Sequence, residues 1–203
     1  MIITKSTAQR NKMQVKMAKI LRKCKNYVFV GIIHTFLFTS FAFSAPNDTL
    51  YILPYEQKQA LNTLQGALRN AKREIKISIY SFTNNDIAKI LRDVAKRGVS
   101  VEIIFDKESN MENKSSVIGY LAKYNNISVC LLSGVKARNG KYYGIMHQKM
   151  AIIDDEILVL GSANWSRNAF ENNFETLLFS FEPNLVQKAN NAFAKMKQNC
   201  LGF

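Results

Sequence analysis

Histidine is almost missing from this chain: among 203 residues only His34 and His147 carry an imidazole. With just three cysteines, spread to Cys24, Cys130 and Cys200, that scarcity excludes a transition-metal centre built from converging histidines and cysteines. Acidic residues are missing from one end. None precedes Asp48, whereas Lys5, Arg10, Lys12, Lys16, Lys19, Arg22, Lys23 and Lys25 all do. Taking those eight charges from the formal +13 leaves +5 for the remainder, which is only moderately basic. The total charge therefore overstates the pull of the rest of the chain on a polyanion. Internal repeats and low-complexity tracts are also absent, so any motif found is present once.

From Asn26 to Ala45 charge disappears as well, through "YVFVGIIHTFLFTSFAF" to a close at "AFSAP" with small residues at Ala42 and Ser44. A basic start, an apolar middle and a small-x-small end predict a secretory signal peptide over residues 1–44, cleaved near Ser44. The basic part is overlong, and an internal start at Met17 restores ordinary length. The competing reading is an uncleaved anchor in the inner membrane, since about 18 to 20 apolar residues span a bilayer. Cys24 precedes the apolar run and so is no lipid-attachment site. Residues 45–203 are expected as one domain, exported to the periplasm or secreted. Export leaves Cys130 and Cys200 as an even pair in an oxidising space, where a disulfide is the economical expectation. Two buried thiols are the alternative.

The mature part alternates. "TLYILP" predicts a short strand, and Leu61, Leu64, Leu68 and Ala71 recur at helical spacing. Ile75, Ile77 and Ile79 share one face of a strand; "TNNDIAKILRDVAKRG" opens on capping residues and stops at Gly98. Strands follow at "VSVEIIFDK" and "ISVCLL", with a helix at "SSVIGYLAKY" between them. "MHQKMAIIDDEILVLGSAN" predicts two strands around an acidic turn, "FETLLFSFE" one more, and a last helix carries Val186, Ala189, Phe193, Met196 and Cys200. The pattern is α/β: a mixed β-sheet flanked by helices on both faces.

Within "HQKMAIID", His147 and Lys149 stand two apart, so on a strand both project the same way, with Asp154 ending the strand. An imidazole can attack phosphorus while a fixed ammonium holds the anionic group. Alone, that pair is ordinary solvated surface. Downstream, "GSANWS" adds Gly161, where backbones can approach closely, and Ser162 and Asn164 as donors to phosphate oxygens. Glu175 heads an otherwise apolar strand, where a carboxylate can fix the tautomer of His147.

Together these residues resemble the phospholipase D superfamily, whose signature is His-x-Lys, four residues, Asp, then Gly-Ser-x-Asn. Here the matching positions are His147, Lys149, Asp154, Gly161, Ser162 and Asn164, with Glu175 at the offset of the histidine-orienting acid. Upstream, "IKISIYSFTNNDIAKIL" is similar to the first strand and helix of the short bacterial Nuc-type endonucleases, so the likeness covers about residues 50–200. The resemblance implies a phosphohistidine mechanism needing two imidazoles, no metal and no cofactor. A carboxylate-only magnesium site at "IIDDE" is the alternative to a solvated turn there. With one histidine per mature chain, the implied enzyme is a homodimer with one composite site on its twofold axis.

For the substrate, "GVKARNGKYYGIM" interleaves Lys136, Arg138 and Lys141 with Tyr142 and Tyr143, and Trp165 and Arg167 follow Asn164. Cations with aromatics suit a single-stranded backbone with stacked bases, against the alternative of a solvated loop. The expectation is a metal-independent endonuclease of low sequence specificity, preferring single-stranded DNA, with duplex DNA or RNA as further substrates. The alternative is a hydrolase of membrane phospholipid such as cardiolipin, with a membrane partner only if the N-terminal segment is retained. Against that alternative, no amphipathic or strongly apolar loop near the site is read from the sequence.

Overall fold

Ile75, Ile77 and Ile79 are each fully buried, and they set the inward face of β2 (Glu74–Ile79), the strand around which the sheet is arranged. In the computed structural model, which describes residues 14–19, 22 and 47–203, the chain divides into two compact units, Met1–Ser44 and Ala45–Phe203. The signal peptide or anchor expected at 1–44, with Cys24 and His34, lies outside the described residues except for residues 14–19, which are helical, and residue 22. Among the described residues no helix is long and apolar enough to cross a membrane.

The second unit runs β1 (Thr49–Leu53), α1 (Gln57–Asn70), β2, α2 (Asn85–Lys96), β3 (Ser100–Asp106), α3 (Lys107–Met111), α4 (Ile118–Leu121) and β4 (Ile127–Leu132). It continues through β5 (Lys149–Ile153), β6 (Ile157–Gly161), α5 (Arg167–Glu171), β7 (Glu175–Ser180), α6 (Pro183–Gln198) and β8 (Leu201–Gly202). One eight-stranded sheet has the order β1-β7-β6-β5-β2-β3-β4-β8. The pairs β2–β3 and β3–β4 are parallel and the others antiparallel. That makes the sheet mixed.

Strand alternation divides the apolar side chains between two layers. On one face Ile75, Ile77, Ile79, Val101, Ile103, Phe105, Ala151, Ile153 and Val159 pack under α1 and α2. On the other, Ile104, Met150, Ile152 and Leu158 meet Val186, Ala189 and Phe193 of α6. Each large aliphatic side chain so buried contributes roughly 1.5–3 kcal/mol. Local signals set the helix ends. The Asn84 carboxamide oxygen accepts from the N–H groups of Asp86 (3.0 Å) and Ile87 (3.1 Å), capping α2. Beyond it Gly98 takes φ 96°, a left-handed conformation that costs glycine nothing.

The C-terminal helix stops two residues earlier than its apolar stripe suggests. Cys200 lies beyond α6 and is joined to Cys130 of β4, with Cα atoms 5.7 Å apart. The bridge pins the two-residue β8 to β4, where Leu131 faces Leu201 and Cys130 faces Gly202. The "SSVIGYLAKY" helix shortens to the single turn α4.

Candidate active site at one end of the sheet

Chain directions bring the carboxyl ends of β2, β3 and β6 and the amino ends of β5 and β7 to one end of the sheet, the place where α/β folds carry their ligands. Lys149 opens β5 opposite Ile79, the last residue of β2. Its side chain is 6% exposed. The ammonium donates to the His147 carbonyl at 3.1 Å and lies 4.9 Å from the centre of the Tyr80 ring. Burial lowers the pKa of Lys149 from its ordinary value, while the charges of Glu175 and Asp106 pull it upward.

His147 differs from its expected place. It lies ahead of β5 rather than in it, and it is exposed where Lys149 is buried. The physical reason is that β2 ends at Ile79, so past Lys149 the ladder continues only through the Tyr80 N–H to the Gln148 carbonyl (2.8 Å). The imidazole instead rests on Tyr80, ring centres 4.5 Å apart. Beneath it, Ser78 donates to the Gln148 side chain at 2.8 Å.

The residue that holds this approach is one the motif does not contain. Asp106, 1% exposed at the end of β3, accepts the Met146 N–H at 2.9 Å with one oxygen and the Ser109 N–H at 2.9 Å with the other. Asn110 adds a second layer, donating to the carbonyls of Tyr80 (2.7 Å) and Asp106 (2.8 Å). The sequence shows an acid at the end of the "VSVEIIFDK" strand, but not its target 40 residues away.

The "GSANWS" segment is clamped from two sides. A Cβ on Gly161 would collide with the Thr176 carbonyl, so only glycine allows β6 and β7 to stay paired there. Ser162 accepts the Thr176 N–H at 3.0 Å, which leaves its own proton for another acceptor. Trp165 donates its backbone N–H to Ser81 (3.1 Å) and accepts from Thr83 and Asn84 (each 3.0 Å). This delivers Asn164, whose Oδ1 is buried without a hydrogen-bond partner among the described residues. Native structures seldom leave such an atom unsatisfied.

Four assignments need correction. Asp154 is not at this end of the sheet. It sits beyond the far end of β5 with φ 55° in the hairpin turn, and its carboxylate accepts the N–H groups of Lys72 (2.8 Å), Arg73 (2.7 Å) and Glu74 (3.0 Å). Trp165 is 1% exposed and meets Phe82 edge-on at 5.1 Å, so no base can stack on it. Arg167 faces Glu171 at 3.6 Å and borders a separate hollow of about 270 Å³ with Thr83 and Asn85. Glu175 makes no hydrogen bond to His147 within the chain; its charge acts on Lys149.

Lys136, Arg138, Lys141 and Tyr143 do lie together, on a projecting hairpin closed by Gly134 N–H to Gly144 carbonyl (2.7 Å) and Ala137 N–H to Tyr142 carbonyl (2.9 Å). The Lys136 ammonium lies 5.9 Å from the Tyr143 ring centre. Contrary to the expectation of no amphipathic or strongly apolar loop here, the same hairpin carries Val135, 89% exposed, and Ile145 just after it is 50% exposed. A groove of about 920 Å³ runs from His147 beneath it to the end of α6 and β8. As for the turn at Asp154 and Asp155, those carboxylates are engaged by backbone N–H groups and by Lys76 and Asn190 respectively. Among the described residues no three His, Cys, Asp or Glu side chains converge as ligands.

Residues 64–197 match the family described as cardiolipin synthase, PLD-like domain. NucT from Helicobacter pylori superimposes with a TM-score of 0.76 at 55% identity, over 77% of this chain and 99% of that one. Nuc from Salmonella typhimurium, a phospholipase D family member, superimposes with a TM-score of 0.65 over 77% of this chain and 97% of that one; at 24% identity it speaks to the fold. Mitochondrial cardiolipin hydrolase of Mus musculus is 30% identical over 135 residues, 66% of this chain and 56% of that protein. The human protein of that name is likewise 30% identical, over 66% of this chain and 49% of its own length. The chain thus spans about half the length of these curated relatives.

Proposed function

This chain belongs to the phospholipase D-like family, and we propose that it is a phosphodiesterase that cuts nucleic acid, single strands preferred, through a phosphohistidine at a site shared by two chains. The observation that carries the reading is that the exposed imidazole of His147 and the buried ammonium of Lys149 both lie against the Tyr80 ring at the sheet end. The 55% identity to NucT across 99% of that chain supports it over the alternatives.

In the proposed reaction the neutral imidazole of His147 attacks phosphorus, a P–N bond forms and the P–O bond to the leaving strand breaks. The proton that the departing oxygen needs comes from the imidazolium of the second chain. That imidazole, now neutral, takes a proton from water, whose oxygen attacks phosphorus and releases His147. Lys149 offsets the negative charge on the nonbridging oxygens, and its burial makes that cation more effective than one in water. The Asn164 amide NH2 would donate to a nonbridging phosphate oxygen.

Two features support a second chain. If residues 1–44 are removed, as expected from the sequence, each chain keeps a single histidine, His147, for a two-imidazole reaction. In addition, the sheet face that α6 covers is bare toward its edge. There Leu50 pairs in register with Leu178 and Leu178 with Leu160, while Leu50 and Leu160 are 54% and 36% exposed. A twofold contact on that apolar row would hide it and bring two copies of the sheet end together. Export to the periplasm or beyond is part of the same proposal, and the Cys130–Cys200 bridge suits an oxidising compartment.

The phospholipid alternative draws on the aliphatic residues of the groove and on the cardiolipin hydrolases among the relatives. Labelled single-stranded DNA, duplex DNA, RNA and cardiolipin vesicles, each incubated with the protein in EDTA, discriminate. Cleavage of the single strand is expected; lipid turnover with nucleic acid untouched would replace this reading with the alternative.

A further inference from the structure

The groove that starts at His147 has two walls of separate origin. One is the 134–144 hairpin; the other is the C-terminal strap, the end of α6 with β8, which the Cys130–Cys200 bridge ties to β4. We propose that this groove is the path of the single strand on one side of the scissile phosphate, with Lys107 and Lys195 of its lining as phosphate contacts. The inference rests on the nucleic-acid reading above and extends it to residues outside the family signature.

Three lysines line the groove, Lys107 at the head of α3, Lys136 on the hairpin and Lys195 on α6, against one acid, Glu108. All three are exposed. They come from three elements far apart in sequence, so their convergence on one hollow is a product of the fold. An acyl chain needs charge only at its head and a dry floor beyond. Here cations recur along the length, and Ser133, Gln148 and Asn199 interrupt the apolar lining. A chain of phosphates with unpaired bases needs that alternation: ammonium groups for the backbone and patches such as Val135 and the Tyr143 face for the bases.

The strap is what makes the groove a channel rather than a shelf. Leu201 and Asn199 stand in its wall, yet β8 pairs with β4 through two residues only. The disulfide, one residue before β8, ties the strap to the sheet alongside the Phe203 N–H to Val129 carbonyl bond (3.3 Å) and the Lys197–Glu102 ion pair (2.7 Å).

The test uses the full chain carrying His147→Asn, which keeps the oligonucleotide intact, and measures binding of labelled oligothymidylate by fluorescence anisotropy across salt concentrations. Adding Lys107→Ala and Lys195→Ala should flatten the log–log salt slope by about 1.4, at about 0.7 per lost single-strand phosphate contact. A control pair on the opposite helical layer, Lys58→Ala with Lys89→Ala, should leave the slope where it was. An unchanged slope in the groove variant overturns the assignment, as does loss of binding to cardiolipin vesicles while oligonucleotide binding persists. If the otherwise unaltered chain neither binds nor cuts oligothymidylate, the nuclease reading itself fails and this inference with it.

Discussion

The Asp106 carboxylate accepts the backbone N–H of Met146 at 2.9 Å, so the end of β3 grips the chain one residue before the imidazole of His147. Asp106→Ala would strand a buried N–H, at a cost of about 1–3 kcal/mol, and release His147 from its seat on Tyr80. The expected outcome is a folded protein whose kcat falls more than its KM changes; an Asp106→Asn variant, which keeps an acceptor oxygen, should recover part of it. Steady-state kinetics beside a thermal melt check this.

Asp154 has the opposite character. Burial alone would raise its pKa, but the N–H groups of Glu74, Lys72 and Arg73 carry it below the ordinary carboxylate value. A lowered folded-state pKa contributes stability at neutral pH that is lost as pH falls through that pKa. Asp154→Ala should therefore cost roughly 2–3 kcal/mol, a fall in Tm of about 5–10 °C, with kcat of the folded fraction largely retained. A stable but inactive variant would return Asp154 to the chemistry.

The alkaline limb of the pH–rate profile should report Lys149. Its ammonium is needed in charged form, and burial lowers its pKa from the ordinary lysine value, so activity should decline below the pH of about 10.4 where a free lysine titrates. Glu175 pulls that pKa upward. Glu175→Gln should consequently move the limb to lower pH, beyond any loss in kcat. A limb that stays put would detach Glu175 from Lys149.

Reduction of Cys130–Cys200 opens a 70-residue span and should cost about 4 kcal/mol. It should also weaken oligonucleotide binding in the still-folded protein, since the strap forms a wall of the groove. Calorimetry and anisotropy with and without reductant test both.

Much of the architecture was legible because it is written at short range. Ile75, Ile77 and Ile79 alternate, Asn84 caps, and Gly98 stops a helix, each through contacts within a few residues. The candidate cluster was legible for another reason, the joint spacing of His147, Lys149 and Asn164. What failed depended on contacts the sequence does not order. Trp165 beside Asn164 looks like a stacking surface until Phe82, more than 80 residues earlier, is found against it. Asp154 shares a motif with His147 but lies at the other end of a five-residue strand. Asp106 and Lys195 carry no local mark of their relation to the imidazole.

His147→Asn should abolish turnover with little change in Tm, because the side chain is exposed and surface substitutions usually cost within about 0.5 kcal/mol. That variant provides the decisive measurement. Unaltered and His147→Asn chains are mixed in varied ratios, allowed to exchange, and assayed at constant total protein. If each site needs an imidazole from both chains, activity follows the square of the unaltered fraction, about a quarter at an equal mixture. A linear decline, about one half at that point, would mean that one chain suffices and would contradict the shared site.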